Sequence, residues 1–295
     1  FLTGFDQSSA LATLAPAISR AERLLLFTKI IMAKPIEYGI EKLAANQACY
    51  LAQELANLID TVHNQGLSFD RLTDLVPEEY AVHWQETLKF LQIITEYWPQ
   101  ILAERQLIDA SDRRNRLLRA QIDLWRQNPP VKRIVAAGTT AAFPLMKELV
   151  KTVLSLEKGE LYLAGIDKFL EDEAWEKIDE THPQHELKEL LDYLTVRRED
   201  IPDLQAPENF GREVLISEVM RPAATTEKWR DIAGKKIRHE AADGITLVNC
   251  ADMREEALTI ALLLREAVET PEKTAALVTG DRNLARRVAA ELERW

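Results

Sequence analysis

The chain has 295 residues, of which 46% are hydrophobic and 29% are charged, and this length predicts roughly two domains of about 150 residues each. The composition is typical of a soluble globular protein, and no apolar stretch reaches the ~18 residues that a membrane span needs. The formal net charge of −11 argues against a protein that binds nucleic acid over its whole surface, but it is compatible with a local basic groove.

Only two cysteines are present, Cys49 and Cys250, and neither belongs to a C-x-x-C pair. Two distant thiols cannot build a disulfide framework, so we predict a reduced, cytoplasmic protein. The first residues lack the basic start of a signal peptide. Because position 1 is Phe1 rather than Met, we expect a segment of a longer protein.

The first 128 residues are predicted to be helical. Ser19 and Glu22 form a capping box before an apolar stripe at helical spacing, and Pro35 should end that helix. A second helix is predicted from about Ile40 to His63, a third from Pro77 through Trp98, and a fourth from about Ser111 to Gln127. The tryptophans Trp84, Trp98, Trp125, Trp175 and Trp229 could stack on bases, but at this spacing packing in a core is the favoured interpretation.

The pattern changes at Pro129-Pro130, where we place the first domain boundary. A strand at 133–138, a helix at about 143–156 and a strand at 160–165 predict a βαβ unit. A second crossover unit is predicted from Gly244, with a helix, a strand at Thr274–Thr279 and a last helix. The predicted domains are residues 1–128, 129–240 and 241–295.

Gly138-Thr139-Thr140 follows a strand and precedes a helix, so its N–H groups and hydroxyls could bind a phosphate. A simple turn with a helix cap is the favoured interpretation. The full phosphate loop G-x-x-x-x-G-K-[ST] is absent, because Gly234-Lys235 has Trp229 at the position of the first glycine.

Two other groups are candidate metal ligands. Asp172-Glu173 could imitate a magnesium-binding pair, but acids in the first turn of a helix have a simpler explanation in the helix dipole. His182 and His185 allow a metal pair geometrically, yet no cysteine lies nearby, and a structural helix entry is favoured. We therefore predict no metal site and no catalytic residue.

Two arginine clusters are the candidate DNA-binding residues. The planar guanidinium group donates paired hydrogen bonds to phosphate, although a helix of mixed charge is most often simply solvated. The cluster on the last helix follows a predicted strand end, where open α/β sheets bind ligands. The first-choice residues are Arg282, Arg286 and Arg287; the second-choice residues are Arg113, Arg114, Arg116 and Arg119.

The order and spacing of several stretches resemble the AddB subunit of the bacterial AddAB helicase–nuclease, in the form found in alphaproteobacteria. The resemblance covers almost the whole chain, although no stretch is a chemical motif. The matching stretches are Ala21–Leu26, Asp74–Tyr80 with His83-Trp84, Trp98–Arg105, Arg113–Arg119, Ala136–Thr139, His182–Gln184 with Leu187-Lys188, Arg221–Thr226, Arg254–Ala257, Thr274–Thr279 and Leu284–Val288.

The resemblance implies an α/β fold with parallel-sheet, superfamily 1 helicase-like (P-loop NTPase-like) domains and a large all-helical insertion at residues 1–128. Residues 129–240 would be the remainder of the first motor-like domain, and 241–295 the start of the second. It implies a role in double-strand break repair, with DNA and an AddA-type helicase subunit as partners. ATP and magnesium would belong to that partner subunit. The family's nuclease, with an iron–sulfur cluster in many members, matches no position here.

The chain departs from a working helicase core because it has neither the phosphate-loop lysine nor the acidic magnesium ligand. We therefore expect a helicase-like segment that guides DNA strands and docks the motor subunit without catalysis of its own. Two alternatives remain open. One is a small-molecule α/β hydrolase or transferase that uses Gly138–Thr140 and the acids between Asp167 and Glu173. The other is a pure protein-interaction scaffold.

Overall fold

The computed structural model describes residues 14–33, 43–69, 90–205, 209–234 and 239–294, and the statements below concern these residues. The chain divides into two compact units. The first contains Phe1–Glu208 and Glu213–Lys236, and the second contains Asn209–Arg212 and Ile237–Trp295. The predicted domain boundaries after residues 128 and 240 stay predictions. In the described ranges, no helix combines the length and the apolar composition needed to cross a membrane.

The first part of unit 1 is helical, as predicted. Helix α1 spans Arg20–Ala33 and α2 spans Ala45–Asn64; a π-helical turn at Ile93–Tyr97 leads into α3 at Trp98–Glu104, and α4 spans Ala110–Gln127. One of the two hydrogen bonds of the predicted capping box of α1 is confirmed, because the Ser19 hydroxyl accepts the Glu22 N–H at 3.2 Å. The predicted helix starts near Ile40 and at Pro77 lie outside the described residues.

The core of this helical part is built around two stacked aromatic side chains. The rings of Phe27 and Trp98 lie 4.2 Å apart, and both residues are fully or almost fully buried. Ile31 and Ile59 belong to the same cluster of buried side chains. The preferred interpretation of Trp98 as a core residue is therefore confirmed, and Trp175 is buried as well. Trp229 differs, since 46% of it is exposed.

The predicted βαβ unit is confirmed. Strand β1 spans Ile134–Ala137, helix α5 spans Pro144–Ser155, and β2 spans Gly159–Tyr162. The strands pair in parallel, with Ile134 opposite Gly159 and Ala137 opposite Tyr162. Pro144 stands in the first turn of α5, where its missing N–H costs nothing.

Short helices follow the sheet in unit 1. Helix α6 spans Asp172–Glu176 and α7 spans His185–Leu194, with a 3-10 turn at Arg198–Asp200. Helix α8 spans Phe210–Val219 and begins in unit 2, and 3-10 segments span Ala223–Gly234 in unit 1 and His239–Ala242 in unit 2. Leu170, Ala174, Trp175, Ile178 and Leu191 form a buried cluster beside the sheet.

Unit 2 contains the two predicted long helices but lacks the two predicted strands. Helix α9 spans Met253–Glu269 and α10 spans Arg282–Leu292. The prediction of strands after Gly244 and at Thr274–Thr279 is wrong, since residues 239–294 contain no strand. Periodicity indicates an apolar segment, but a strand also needs a neighbour for its ladder of hydrogen bonds. Leu247 and Val278 are 85% and 93% exposed, although Leu277 packs against the cluster that contains Ala257 and Leu284.

Candidate nucleic-acid interface

The first-choice arginines lie on helix α10, which begins at a well-formed cap. The Asp281 carboxylate accepts the Asn283 N–H at 2.7 Å and thereby satisfies one of the free donors of the first turn. Leu284 and Val288 are buried four residues apart and pack in a cluster with Ala257 and Ala261 of α9. This packing fixes which side of α10 meets solvent.

Arg282, Arg286 and Arg287 are all exposed. At 100° per residue, Arg282 and Arg286 fall near the middle of the face opposite Leu284 and Val288, and Arg287 falls at its edge. The structure therefore places Arg282 and Arg286 on one solvent-facing surface and Arg287 at its border, about 100° around the helix from Arg286. We call these three exposed residues the α10 arginine face.

Few acidic partners neutralise this face. Arg286 donates to the Asn283 side chain at 2.5 Å, which leaves its positive charge uncompensated. Arg282 and Arg287 form no hydrogen bond or ion pair shorter than 4 Å with another side chain of the described ranges. Asp252 lies within electrostatic range of Arg287, which contributes a little to lowering the pKa of Asp252. The main cause of that lowering is donation from the backbone N–H groups of Glu255 and Arg254.

The position of these cations is unfavourable for the helix itself. The first turn of a helix carries a partial positive charge, so acids stabilise it and bases do not. Arg282 occupies the first position of α10, and Arg286 lies one turn further on. Helix stability therefore does not explain Arg282, whereas an anionic ligand would; Arg286 and Arg287 lie beyond the first turn, where the dipole effect has faded.

The second-choice cluster is dispersed on α4. Arg113 is half-buried and donates to the Ala15 carbonyl at 3.2 Å, and Arg116 pairs with Asp112 at 2.9 Å. Arg114 contacts the Asn64 side chain and stacks over the ring of Phe143, 5.2 Å from its centroid. Arg119 is exposed and has no such contact within the described part of the chain. Arg116 is thus neutralised by a carboxylate, whereas Arg113 and Arg114 keep their positive charge but are held in place by neutral acceptors from other segments.

The Gly138–Thr140 loop lies at the carboxyl end of β1, as predicted, but the Gly138 N–H and both threonine hydroxyls are used internally. Gly138 adopts φ +66° and donates its N–H to the Tyr162 carbonyl at 3.2 Å. The Thr139 hydroxyl accepts the Ala141 N–H at 3.0 Å, and the Thr140 hydroxyl donates to the Glu186 carboxylate. A carboxylate at hydrogen-bond distance from this loop repels a phosphate.

The acidic and histidine pairs also have structural partners. Asp172 and Glu173 do stand in the first turn of a helix; Asp172 pairs with Arg198 at 2.5 Å, and Glu173 with Lys228 at 2.7 Å. His182 contacts the Met220 carbonyl through Nε2 at 2.6 Å and accepts the Gln184 N–H through Nδ1. Among the described residues, no three His, Cys, Asp or Glu side chains are grouped so that they could hold a metal ion.

One polar network was missed by sequence reasoning. Arg23 is buried in the helical core, where it donates to Asp60 at 2.9 Å and lies 3.3 Å from Asp109. Asp109 accepts the Trp98 indole N–H at 2.8 Å, and the Ser111 hydroxyl donates to Asp60 at 2.7 Å. The available signal was Arg23 itself, which stands four residues before Phe27 and eight before Ile31 on the buried stripe of α1. A charge at a core position requires a buried partner.

Comparisons with known proteins do not identify the chain. No protein-family model matches it, and neither the curated proteins nor the solved structures include a significant match.

Proposed function

We propose that this chain is the helicase-like part of an AddB-type subunit, in which it guides DNA strands and docks an AddA-type motor subunit without catalysis of its own. The protein would act in the cytoplasm in double-strand break repair. The support from sequence is the ordered set of stretches that resemble this family. The support from structure is the α10 arginine face.

The α10 arginine face is the observation that carries the DNA-binding part of the proposal. Its three arginines are exposed, and among the described residues no carboxylate forms an ion pair with Arg282 or Arg286. Phosphate-directed binding depends on where cations are grouped rather than on total charge. A net charge of −11 therefore restricts contact to such a local surface.

The test is a triple charge reversal, Arg282→Glu, Arg286→Glu and Arg287→Glu. Binding of a fluorescein-labelled oligo-dT strand is measured by anisotropy over a series of salt concentrations. If three phosphate contacts are lost, the slope of log K against log [salt] should become shallower by about 2, since each contact on a single strand contributes about 0.7. Affinity at low salt should fall by at least tenfold.

A matched control makes the same change in total charge elsewhere. Lys132, Lys158 and Lys273 are exposed, and none makes an ion pair within the described ranges. The triple variant Lys132→Glu, Lys158→Glu and Lys273→Glu should keep the wild-type salt slope. If both triple variants lose affinity equally, or if the arginine variant binds like the wild type, the α10 arginine face is not the DNA site.

A protein-interaction scaffold is the second candidate, because helix α9 exposes apolar side chains. Leu258, Leu262 and Leu263 are 37%, 49% and 53% exposed, although the opposite side of α9 packs on α10. Exposed apolar patches of this kind mark interaction surfaces. Copurification with an AddA-type subunit, combined with no stabilisation by oligonucleotides in a thermal shift assay, would favour this candidate over DNA guiding.

The same thermal shift assay distinguishes a small-molecule enzyme from a DNA-guiding protein. Stabilisation by a mononucleotide or by inorganic phosphate, and not by an oligonucleotide, would favour an enzyme that uses the Gly138–Thr140 loop. We expect the reverse result, because the Glu186 carboxylate bonded to Thr140 disfavours a bound phosphate.

A further inference from the structure

The parallel sheet of unit 1 has an open edge along β2. The Lys158 carbonyl accepts the Ile134 N–H of β1 at 3.0 Å, and the Tyr162 carbonyl accepts the N–H of Gly138, directly after β1, at 3.2 Å. Because the N–H and C=O groups of successive residues in a strand point to alternate sides, the even-numbered residues of β2 face β1. The N–H and C=O groups of Leu161, and of Leu163 directly after the strand, point away from β1.

These outward groups have no partner in the described part of the chain. No backbone or side-chain hydrogen bond reaches the N–H or C=O of Leu161 or Leu163. Their side chains, in contrast, are fixed, because both pack against a cluster that contains Val150 and Leu190. A rigid strand with unpaired backbone groups is a template for another strand.

A groove of about 630 Å³ runs along this edge. Leu161 and Leu163 line one side, and the segment that contains Ile201 and Leu204 lines the other; no residue of β1 takes part. Leu204 is 84% exposed although it is apolar. The groove therefore combines free strand-pairing groups with apolar walls, which is the combination that binds an extended peptide.

The charges at the rim define the peptide further. Lys168 is bonded to Asp203 at 2.5 Å, so this pair is neutral. Glu213 also lines the groove, is exposed and makes no ion pair with another described residue. The rim thus carries one uncompensated negative charge, which favours a basic residue in the ligand.

We propose that the outer edge of β2 binds an extended segment of a partner protein as an added β-strand, with apolar residues at alternate positions and a basic flanking residue. The peptide would pair with the N–H and C=O groups of Leu161 and Leu163 and place apolar side chains beside Ile201 and Leu204. This site shares no residue with the α10 arginine face, so failure of either proposal leaves the other standing.

The test uses the full chain and a short acetylated, amidated peptide in which valine and threonine alternate and a lysine stands at each end. Amide hydrogen exchange is followed by NMR. We expect the Leu161 and Leu163 amides to exchange rapidly in the protein alone and at least tenfold more slowly with millimolar peptide. A peptide of the same sequence with N-methylated backbone amides cannot pair and should give no protection. Equal protection by both peptides, or by neither, overturns the proposal.

Two variants connect the binding to the groove. Leu204→Lys removes an apolar wall and should weaken peptide binding by about tenfold or more. Val131→Lys is the control, since Val131 is 85% exposed in the same unit and lies outside the groove; it should leave binding unchanged. If both variants bind equally well, the peptide lies elsewhere and the proposal fails.

Amide hydrogen exchange in the protein without peptide tests whether a second copy or another segment of the chain covers the β2 edge. Slow exchange of Leu161 and Leu163 that depends on protein concentration would show that a second copy of the chain covers the edge. Slow exchange at every concentration would show that another segment of the same chain does so. Either outcome overturns the proposal of a partner strand.

Discussion

The buried carboxylate of Asp109 gives the sharpest stability prediction for this protein. The residue is 3% exposed, accepts the Trp98 indole N–H at 2.8 Å and lies 3.3 Å from the Arg23 guanidinium group. The substitution Asp109→Ala leaves the buried Trp98 N–H without an acceptor, which costs about 1–3 kcal/mol. It also removes one of the two carboxylates around Arg23, which keeps Asp60 and the Ala56 carbonyl.

The expected loss is therefore about 2–4 kcal/mol in the free energy of unfolding, below the full cost of stranding a buried charge. No capping bond is lost, because the Asp109 side chain does not cap helix α4. The assay is urea denaturation followed by tryptophan fluorescence and by circular dichroism. The control is Asp112→Ala, three residues later, whose surface pair with Arg116 should contribute less than about 1 kcal/mol.

Asp109→Asn separates the hydrogen bond from the charge. It keeps an acceptor for Trp98 and should cost less than the alanine variant. Burial raises the pKa of Asp109, an effect that the Trp98 hydrogen bond and Arg23 only partly offset. The Asp109 carboxyl group therefore binds its proton more tightly in the folded protein than in the unfolded chain. As the pH rises from about 3.8 through the raised pKa of the folded state, ionisation of Asp109 lowers the free energy of unfolding.

As the pH is lowered through that window, the wild type should gain stability relative to Asp109→Asn. Two results would refute the reasoning. One is an alanine variant within about 0.5 kcal/mol of the wild type, which would mean that Trp98 and Arg23 do not depend on this carboxylate. The other is a stability difference between wild type and Asp109→Asn that moves in the opposite direction on acidification.

Two further predictions concern other parts of the chain. Glu218→Ala should cost about 2–3 kcal/mol in urea denaturation, because the Arg221 side chain, which is 0% exposed, loses its bond to Glu218 at 2.8 Å and keeps Glu171 only at 3.5 Å. The double variant Glu218→Leu with Arg221→Met should recover most of that loss, and an equally unstable double variant would contradict the argument. Asp252→Ala should cost about 1 kcal/mol in local hydrogen exchange of helix α9, since its carboxylate accepts the Arg254 and Glu255 N–H groups at 2.8 and 2.9 Å. Hydrogen bonds from those N–H groups lower the pKa of Asp252. Its contribution to stability is therefore present above about pH 3.8 and disappears as the pH falls through the pKa of the folded state. A stability difference between wild type and variant that does not depend on pH would exclude capping by the ionised carboxylate.

The arginine clusters show how far the sequence could predict the candidate site. Both clusters are equally visible in the sequence, and both lie on helices that were correctly predicted. Their availability differs because Arg113 and Arg114 meet residues far away in the chain, Ala15 and Asn64. Such partners cannot be derived from helical spacing.

Local sequence patterns were sufficient to predict the helices and the segments of the first crossover unit. Ser19 and Asp252 cap helices through bonds to residues two or three positions away, and Pro129-Pro130 separates α4 from β1 by backbone restriction. Tertiary structure decided what depends on distant neighbours. The apolar segments after Gly244 and at Thr274–Thr279 have the composition of strands but stay unpaired, because a strand exists only where another backbone completes its hydrogen bonds. For the same reason, only the folded chain shows that β2 has an open edge and that Asp109 and Arg23 meet in the core.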